Sequence, residues 1–266
     1  PCLVFSSAAG SMTKEQLLSS WPLIPVSLFV SGLMFAFGAL SARLCRLSGS
    51  RKRIHICQSA FSNWGMIGIP LISALFGPSG MLPLTVFLIC DQLLLWTLGV
   101  RLTYPVENAP AGFSLKKLLN PVLLSAILGI CFALFGLRLP EPFAGTVQGL
   151  GATTKHLSLV FVGGTLALSA KESPVKSFSP FCVVLFKMLL CPATVYCALR
   201  LTGLFDYLTA AVFAVIAGLP SMCTIPMIAK ANGSDDAYAS TVALITTICG
   251  AVTLPLLLQV LDMLPF

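Results

Sequence analysis

Charged side chains are scarce in this chain, and their scarcity argues against a soluble domain. Only 9% of the 266 residues are Asp, Glu, Lys or Arg, whereas a soluble domain carries about 25%. Hydrophobic residues make up 57% of the sequence, and the mean hydropathy is +0.95. Because a soluble fold of this composition could not cover its apolar surface, the sequence indicates a membrane protein.

Sequence signals for metal, nucleotide and nucleic-acid binding are also lacking. The ten cysteines are scattered through apolar stretches without a C-x-x-C pair, so neither a metal site nor a disulfide framework is expected. No phosphate-binding loop occurs, which argues against ATP as the driving force. The net charge of +7 is spread over short segments between apolar stretches, so no nucleic-acid partner is expected. We therefore expect no cofactor and no metal.

Apolar stretches fill the chain, and each is long enough to cross a bilayer, which takes roughly 20 residues. We count eight of them, at residues 20–44, 54–76, 81–103, 117–138, 144–169, 178–201, 207–231 and 236–263. Residues 1–9 add an apolar half-span, which we interpret as the end of a helix that starts upstream. The sequence thus predicts a single all-α, multi-pass membrane domain in contact with lipid.

Basic residues are distributed unevenly between the two predicted sides of the membrane. Five of them fall in one short loop from Arg43 to His55. If this loop is cytoplasmic, alternation of the spans places eleven basic residues inside and three outside. The positive-inside rule then favours a cell-membrane protein with this loop in the cytoplasm and an external C-terminus.

The sequence repeats itself at a spacing of 156 residues. The matching positions are Ile69-Pro70 with Ile225-Pro226, Gly77 with Gly233, and Thr85-Val86 with Thr241-Val242. About five predicted crossings separate the copies, and an odd number turns the second copy upside down. We expect a first repeat at 1–104 that lacks its first helix, a connecting loop at 105–115 and a second repeat at 116–266. Inverted repeats with discontinuous helices are typical of secondary transporters.

Two interrupted segments in these repeats are the predicted substrate site. Proline removes a helical hydrogen bond, and freed backbone groups at membrane depth must lie beside protein or a water-filled cavity. Half-helix N-termini carry partial positive charge and favour an anion. We expect the amide of Asn63 to donate to a carboxylate. The predicted site residues are Asn63, Gly65, Gly68, Pro70, Pro220, Ser221, Thr224 and Pro226.

Ionisable residues within the spans are candidates for ion coupling. Asp91 and Lys155 could pair with each other or bind the substrate and a coupling ion, either a proton or sodium. His156 could titrate near neutral pH, and a purely structural role stays open for each of the three. Lys187 lies near the cytoplasmic start of its span, so we expect it to extend towards the membrane surface.

Three other functions remain open at this stage. A sodium-coupled symporter of the bile-acid type or an anion channel could share the architecture. An intramembrane serine protease is the more remote alternative, since Gly77-Pro78-Ser79-Gly80 matches a G-x-S-G pattern and His156 could serve as its base. A proton or sodium coupling ion and a homodimer are further expectations.

The two interrupted segments resemble those of the auxin efflux carrier family, including its bacterial members. The resemblance rests on Asn63, Gly65, Gly68, Ile69-Pro70-Leu71, Gly77, Pro220, Pro226, Ala229-Lys230, Gly233-Ser234-Asp235 and Thr253-Leu254-Pro255. It implies ten helices in two inverted five-helix repeats, with broken helices that cross at the substrate site. It also implies export or exchange of small organic anions, with Asn63 in contact with the substrate.

Overall fold

The computed structural model describes residues 1–11, 15, 20–107, 121–172 and 178–263. Within these ranges the chain is helical, with one isolated bridge in place of any sheet. The α-helices are α1 Cys2–Ser11, α2 Leu23–Leu44, α3 Gly49–Ala60, α4 Ile69–Leu94, α5 Val100–Leu102, α6 Pro121–Phe135, α7 Glu141–Glu172, α8 Ser179–Val183, α9 Cys191–Leu201, α10 Tyr207–Gly218, α11 Ile225–Ala231 and α12 Asp236–Met263. Wider π-helical turns join several of them, at Trp64–Gly68, Leu95–Gly99 and Val184–Leu190.

Apolar helices with exposed apolar side chains confirm the all-α membrane class. Four helical segments in the described ranges are long and apolar enough to span a bilayer: Leu23–Leu44, Trp64–Leu102, Ser179–Leu201 and Asp236–Met263. Leu28 and Val252, on the first and last of these, are 49% and 63% exposed. Such surfaces suit lipid rather than water. The other predicted stretches are shorter, interrupted or only partly described.

The basic connection expected between Arg43 and His55 is much shorter than predicted. Helix α2 ends at Leu44 and α3 begins at Gly49, which leaves only residues 45–48 between them. Arg46 closes α2 in the left-handed conformation (φ 52°), and the Leu47 amide donates to the Ala42 carbonyl at 3.0 Å. His55 is fully buried in α3. The loop bounds were therefore wrong, while its cytoplasmic side stays a prediction.

A glycine with positive φ interrupts the helical backbone at the same place in both repeat copies. Gly77 has φ 59° and ψ −151°, so the segment Trp64–Leu102 is bent into two helical parts. Gly233, 156 positions later, has φ 69°. Positive φ is easy only for glycine, which explains why both turns carry it. The matching turns support the repeat; its inversion and the boundaries 1–104, 105–115 and 116–266 stay predictions.

Helix α10 lies at the centre of the core. Asp206 caps its start by accepting a hydrogen bond from the Thr209 amide at 3.2 Å. Every residue from 210 to 218 is buried, including the large Phe213. A helix buried on all sides has to be apolar all round, as this one is. The second interrupted segment follows its C-terminal end and therefore lies in the middle of the protein.

Candidate functional site

The two interrupted segments meet and exchange backbone hydrogen bonds. The first break covers residues 61–63 and the second covers residues 219–224. The Asn63 amide donates to the Pro220 carbonyl at 2.8 Å, and the Met222 amide donates to the Phe61 carbonyl at 3.1 Å. Ser62 and Ser221 face each other as an isolated antiparallel pair. Each break thus satisfies backbone groups that the other leaves free, and the predicted contact between the broken helices is observed. We call this contact, between residues 61–68 and 219–224, the crossing.

The first break lies upstream of Pro70. The chain is extended at Phe61, and the helix restarts with the π-helical turn Trp64–Gly68. In this turn the amides of Ile67 and Gly68 both donate to the Asn63 carbonyl, at 3.0 and 3.2 Å. The wider turn tolerates the absence of a backbone N–H group at Pro70. The helix therefore continues through Pro70, and residues 64–76 form a half-helix that starts at the break.

The second break follows from the proline at its start. Leu219 precedes Pro220 and is extended (ψ 150°), as the residue before a proline favours. The Ser221 amide donates to the Thr246 hydroxyl oxygen at 3.1 Å. The Ser221 hydroxyl is buried and has no hydrogen-bond partner among the described residues. Pro226 lies in the first turn of α11, where a missing amide costs little.

The side chain of Asn63 points across to the second break. It is 3% exposed, and its Nδ2 donates to the Cys223 sulfur at 3.3 Å. A sulfur atom is a weak acceptor, so a carboxylate would be a stronger partner for the same amide. The predicted donor is therefore placed between the two breaks, with a partner that a substrate could replace.

Two glycines of the first half-helix have opposite surroundings. A Cβ atom on Gly68 would lie 2.7 Å from Leu219 Cδ1 and 3.1 Å from Trp64 Cβ, so this glycine lets the two breaks pack closely. A Cβ atom on Gly65 would meet no atom of the described part of the chain within 4 Å. Gly65 and Thr224 are only partly buried. Among the described atoms, Gly65 is therefore the less crowded of the two glycines.

Lys187 does not extend to the membrane surface, contrary to the sequence-based expectation. It is 1% exposed, and its Nζ donates to the Ser59 carbonyl at 3.1 Å and to the Ser62 hydroxyl at 2.9 Å. Both acceptors belong to the first break or to the helix end before it. Burial of an ammonium is costly unless hydrogen bonds offset the cost, and oxygens freed by the break provide them. Lys187 thus contacts the crossing, and the expectation that it extends to the membrane surface was wrong.

Asp91 is attached to the same break through a tryptophan. Its side chain is 1% exposed, and Oδ2 accepts a hydrogen bond from Trp64 Nε1 at 2.7 Å. Trp64 directly follows Asn63. The side chain of Lys155 lies outside the described part of the chain, and His156 is exposed on α7. The predicted pairing of Asp91 with Lys155 and the coupling roles of all three residues stay predictions.

A separate buried polar cluster joins α2, α3, α8 and α12. Its centre is His55, whose Nε2 lies 2.7 Å from the Ser41 hydroxyl and whose Nδ1 lies 2.7 Å from the Tyr238 hydroxyl. Tyr238 Oη in turn donates to the Ser179 hydroxyl at 2.9 Å. This cluster fixes the helix that leads into the first break against the last helix of the second repeat copy.

Sequence reasoning found the backbone of the site but missed several of its side chains. Asn63, Pro220 and Ser221 are brought together as predicted, whereas Ser62, Trp64 and Cys223 were not singled out. All three lie inside the predicted segments, and each is next to a predicted site residue: Ser62 and Trp64 flank Asn63, and Cys223 precedes Thr224. This adjacency was the available signal. Their partners come from other helices and could not be deduced from spacing.

Comparisons with known proteins give the family. The family described as membrane transport protein matches residues 1–110 and 109–258. An "Uncharacterized transporter" of Methanothermobacter thermautotrophicus is 26% identical over 258 residues, covering 96% of this chain and 83% of that protein. A "Putative malonate transporter" of Rhizobium meliloti is 24% identical over 276 residues, covering 98% of this chain and 83% of that protein.

The family matches together extend over almost the whole chain, and both relatives are named as transporters rather than as enzymes. They remove the serine protease alternative that Ser79 and His156 had left open. The resemblance that rested on the two interrupted segments is confirmed. The chain belongs to the membrane transport protein family, which is the family of the auxin efflux carriers.

Proposed function

We propose that this protein is a secondary transporter that moves small organic anions, carboxylates in particular, by alternating access around its two crossed breaks. The reciprocal hydrogen bonds between Asn63 and Pro220 and between Met222 and Phe61, at 2.8 and 3.1 Å, carry the proposal. Backbone that is free of helical pairing at the centre of a membrane protein serves a ligand site in transporters with discontinuous helices. The buried hydroxyl of Ser221, unpartnered in the described part of the chain, supports a polar ligand there.

The charge at the crossing favours an anion. The ammonium of Lys187 is buried against the first break, and no described carboxylate lies within ion-pair distance of it. Asp91, the buried acid attached to this region, already accepts a hydrogen bond from Trp64. The N-terminus of the half-helix 64–76 adds partial positive charge, because Asn63 does not cap it with its side chain. A substrate carboxylate would complement this field.

Dicarboxylates are the first substrates to test, since one relative is named for malonate. In this proposal the substrate site comprises Asn63, Gly65, Gly68, Pro70, Pro220, Ser221, Thr224 and Pro226. We further propose a cell-membrane location, with the segment from Arg43 to His55 on the cytoplasmic side and the C-terminus outside. Two inverted five-helix repeats and a homodimer complete the proposed architecture.

The test is uptake of a panel of labelled mono- and dicarboxylates into proteoliposomes that contain the purified protein. The proposal expects saturable uptake of at least one carboxylate and none of cationic or neutral compounds of similar size. Counterflow from an internal unlabelled load distinguishes a carrier from an anion channel, because only a carrier exchanges one molecule for another. Uptake of none of the carboxylates, or uptake without saturation, would contradict the proposal.

A further inference from the structure

The first break deprives the Ser59 carbonyl oxygen of its helical partner. In a continuous helix the Ser59 carbonyl would accept from the amide four residues later, which is Asn63. The Asn63 amide instead donates to Pro220 across the crossing at 2.8 Å. The C-terminal end of α3 therefore presents a free carbonyl, together with the partial negative charge of a helix C-terminus.

The ammonium of Lys187 occupies this position. Its Nζ lies 3.1 Å from the Ser59 carbonyl oxygen and 2.9 Å from the Ser62 hydroxyl oxygen. The side chain reaches them from the π-helical turn Val184–Leu190 and is 1% exposed.

In transporters with discontinuous helices, freed carbonyls and half-helix C-terminal ends coordinate the coupling sodium ion or proton. Hard cations prefer oxygen ligands of this kind. We propose that the ammonium of Lys187 is a built-in cation that fills a latent sodium site at the C-terminal end of α3. The protein therefore needs no sodium, and removal of this side chain opens a site for a monovalent cation.

Two substitutions of Lys187 separate charge from space. Lys187→Ala removes the ammonium and leaves room for a hydrated or partly hydrated ion beside the oxygens of Ser59 and Ser62. Lys187→Met removes the charge but fills most of the same volume with apolar atoms, so it serves as the matched control. Lys187→Arg keeps a cation at the position and should behave like the wild type.

The direct measurement is the melting temperature of the purified protein in sodium chloride and in choline chloride at equal concentration. We expect no difference for the wild type, Lys187→Met or Lys187→Arg. For Lys187→Ala, sodium at tenfold above its dissociation constant should raise the melting temperature by about 3–6 °C. Lithium and potassium chlorides, measured in parallel, give the size preference of the opened site.

One consequence of this inference, that transport runs without sodium, rests on the proposed transport function. The melting measurement does not depend on transport. Sodium stabilisation of the wild type would overturn it even if no variant folds. A Lys187→Ala protein that folds but responds equally to sodium and choline would overturn it as well. Absence of carboxylate uptake would instead contradict the proposed function and leave the cation result intact.

Discussion

Substitution of Gly68 by alanine tests whether close packing of the two breaks holds the crossing together. The added Cβ atom would lie 2.7 Å from Leu219 Cδ1 and 3.1 Å from Trp64 Cβ. Leu219 is fully buried, so its side chain has little room to move away. Overpacking of this kind costs about 1–3 kcal/mol, which corresponds to a fall in melting temperature of about 2–12 °C.

The control for this experiment lies three residues earlier in the same π-helical turn. Gly65→Ala adds the same methyl group where no atom of the described residues lies within 4 Å, and alanine favours a helix over glycine by about 0.5–1 kcal/mol. We expect its melting temperature to stay the same or rise slightly. Because Gly65 belongs to the proposed substrate site, the same change should nevertheless lower the rate of carboxylate uptake.

A double-mutant cycle tests the structural cause. Leu219→Ala removes the side chain that Gly68→Ala collides with, so the two losses in unfolding free energy should be smaller together than their sum, by about 0.5–3 kcal/mol. Unfolding is followed by thermal melting in detergent. Equal melting temperatures for Gly68→Ala and the wild type, or strict additivity with Leu219→Ala, would refute the packing argument.

Three further predictions concern single contacts. Asn63→Ala should weaken carboxylate binding about 10- to 150-fold, which is the value of a hydrogen bond to a charged group. Its melting temperature should be nearly unchanged, because the Asn63 amide loses only a sulfur acceptor. Unchanged carboxylate binding would make Asn63 a packing residue. Asp235→Ala should cost about 0.5–2 kcal/mol, because its side chain caps α12 at the Tyr238 amide. Arg51→Ala removes both the exposed 2.9 Å ion pair with Asp235 and the contact of the guanidinium with the Tyr238 ring, 5.1 Å from its centroid, and should cost about 0.5–2 kcal/mol; an unchanged melting temperature of either variant would contradict these two expectations. Tyr238→Phe should cost about 1–3 kcal/mol, since it removes the hydroxyl 2.7 Å from His55 Nδ1, and unaltered thermal stability would show that His55 finds another partner.

The position of the second break could be predicted because it depends on local chemistry, whereas the first break lies at residues 61–63, upstream of the proline that was expected to cause it. Pro220 forces Leu219 into extended backbone, and the glycines at 77 and 233 make turns with positive φ. These signals lie within the segments themselves, and the 156-residue repeat doubled them. The same local reasoning assigned Asn63 and Ser221 to the two interrupted segments, which meet in the structure; their role in substrate binding stays a prediction.

The role of Lys187 could not be predicted in this way. Counting residues from the predicted end of its span suggested that the ammonium reaches the membrane surface. The structure places it on the Ser59 carbonyl, which is free only because the Asn63 amide has bonded to Pro220. That chain of causes passes through three helices, and no spacing within one helix reveals it. The hydrogen bond from Trp64 to Asp91 is hidden from the sequence for the same reason.

The most direct test of a carboxylate carrier built around the crossing is malonate counterflow, measured side by side for the wild type and Gly65→Ala. Proteoliposomes are loaded with unlabelled malonate, and entry of external labelled malonate is followed with time. We expect transient accumulation of label in wild-type vesicles and a much smaller accumulation in Gly65→Ala vesicles. The two proteins are compared at equal protein content and at equal melting temperature. Accumulation of the same size in both proteins would contradict the claim that the substrate binds at the crossing.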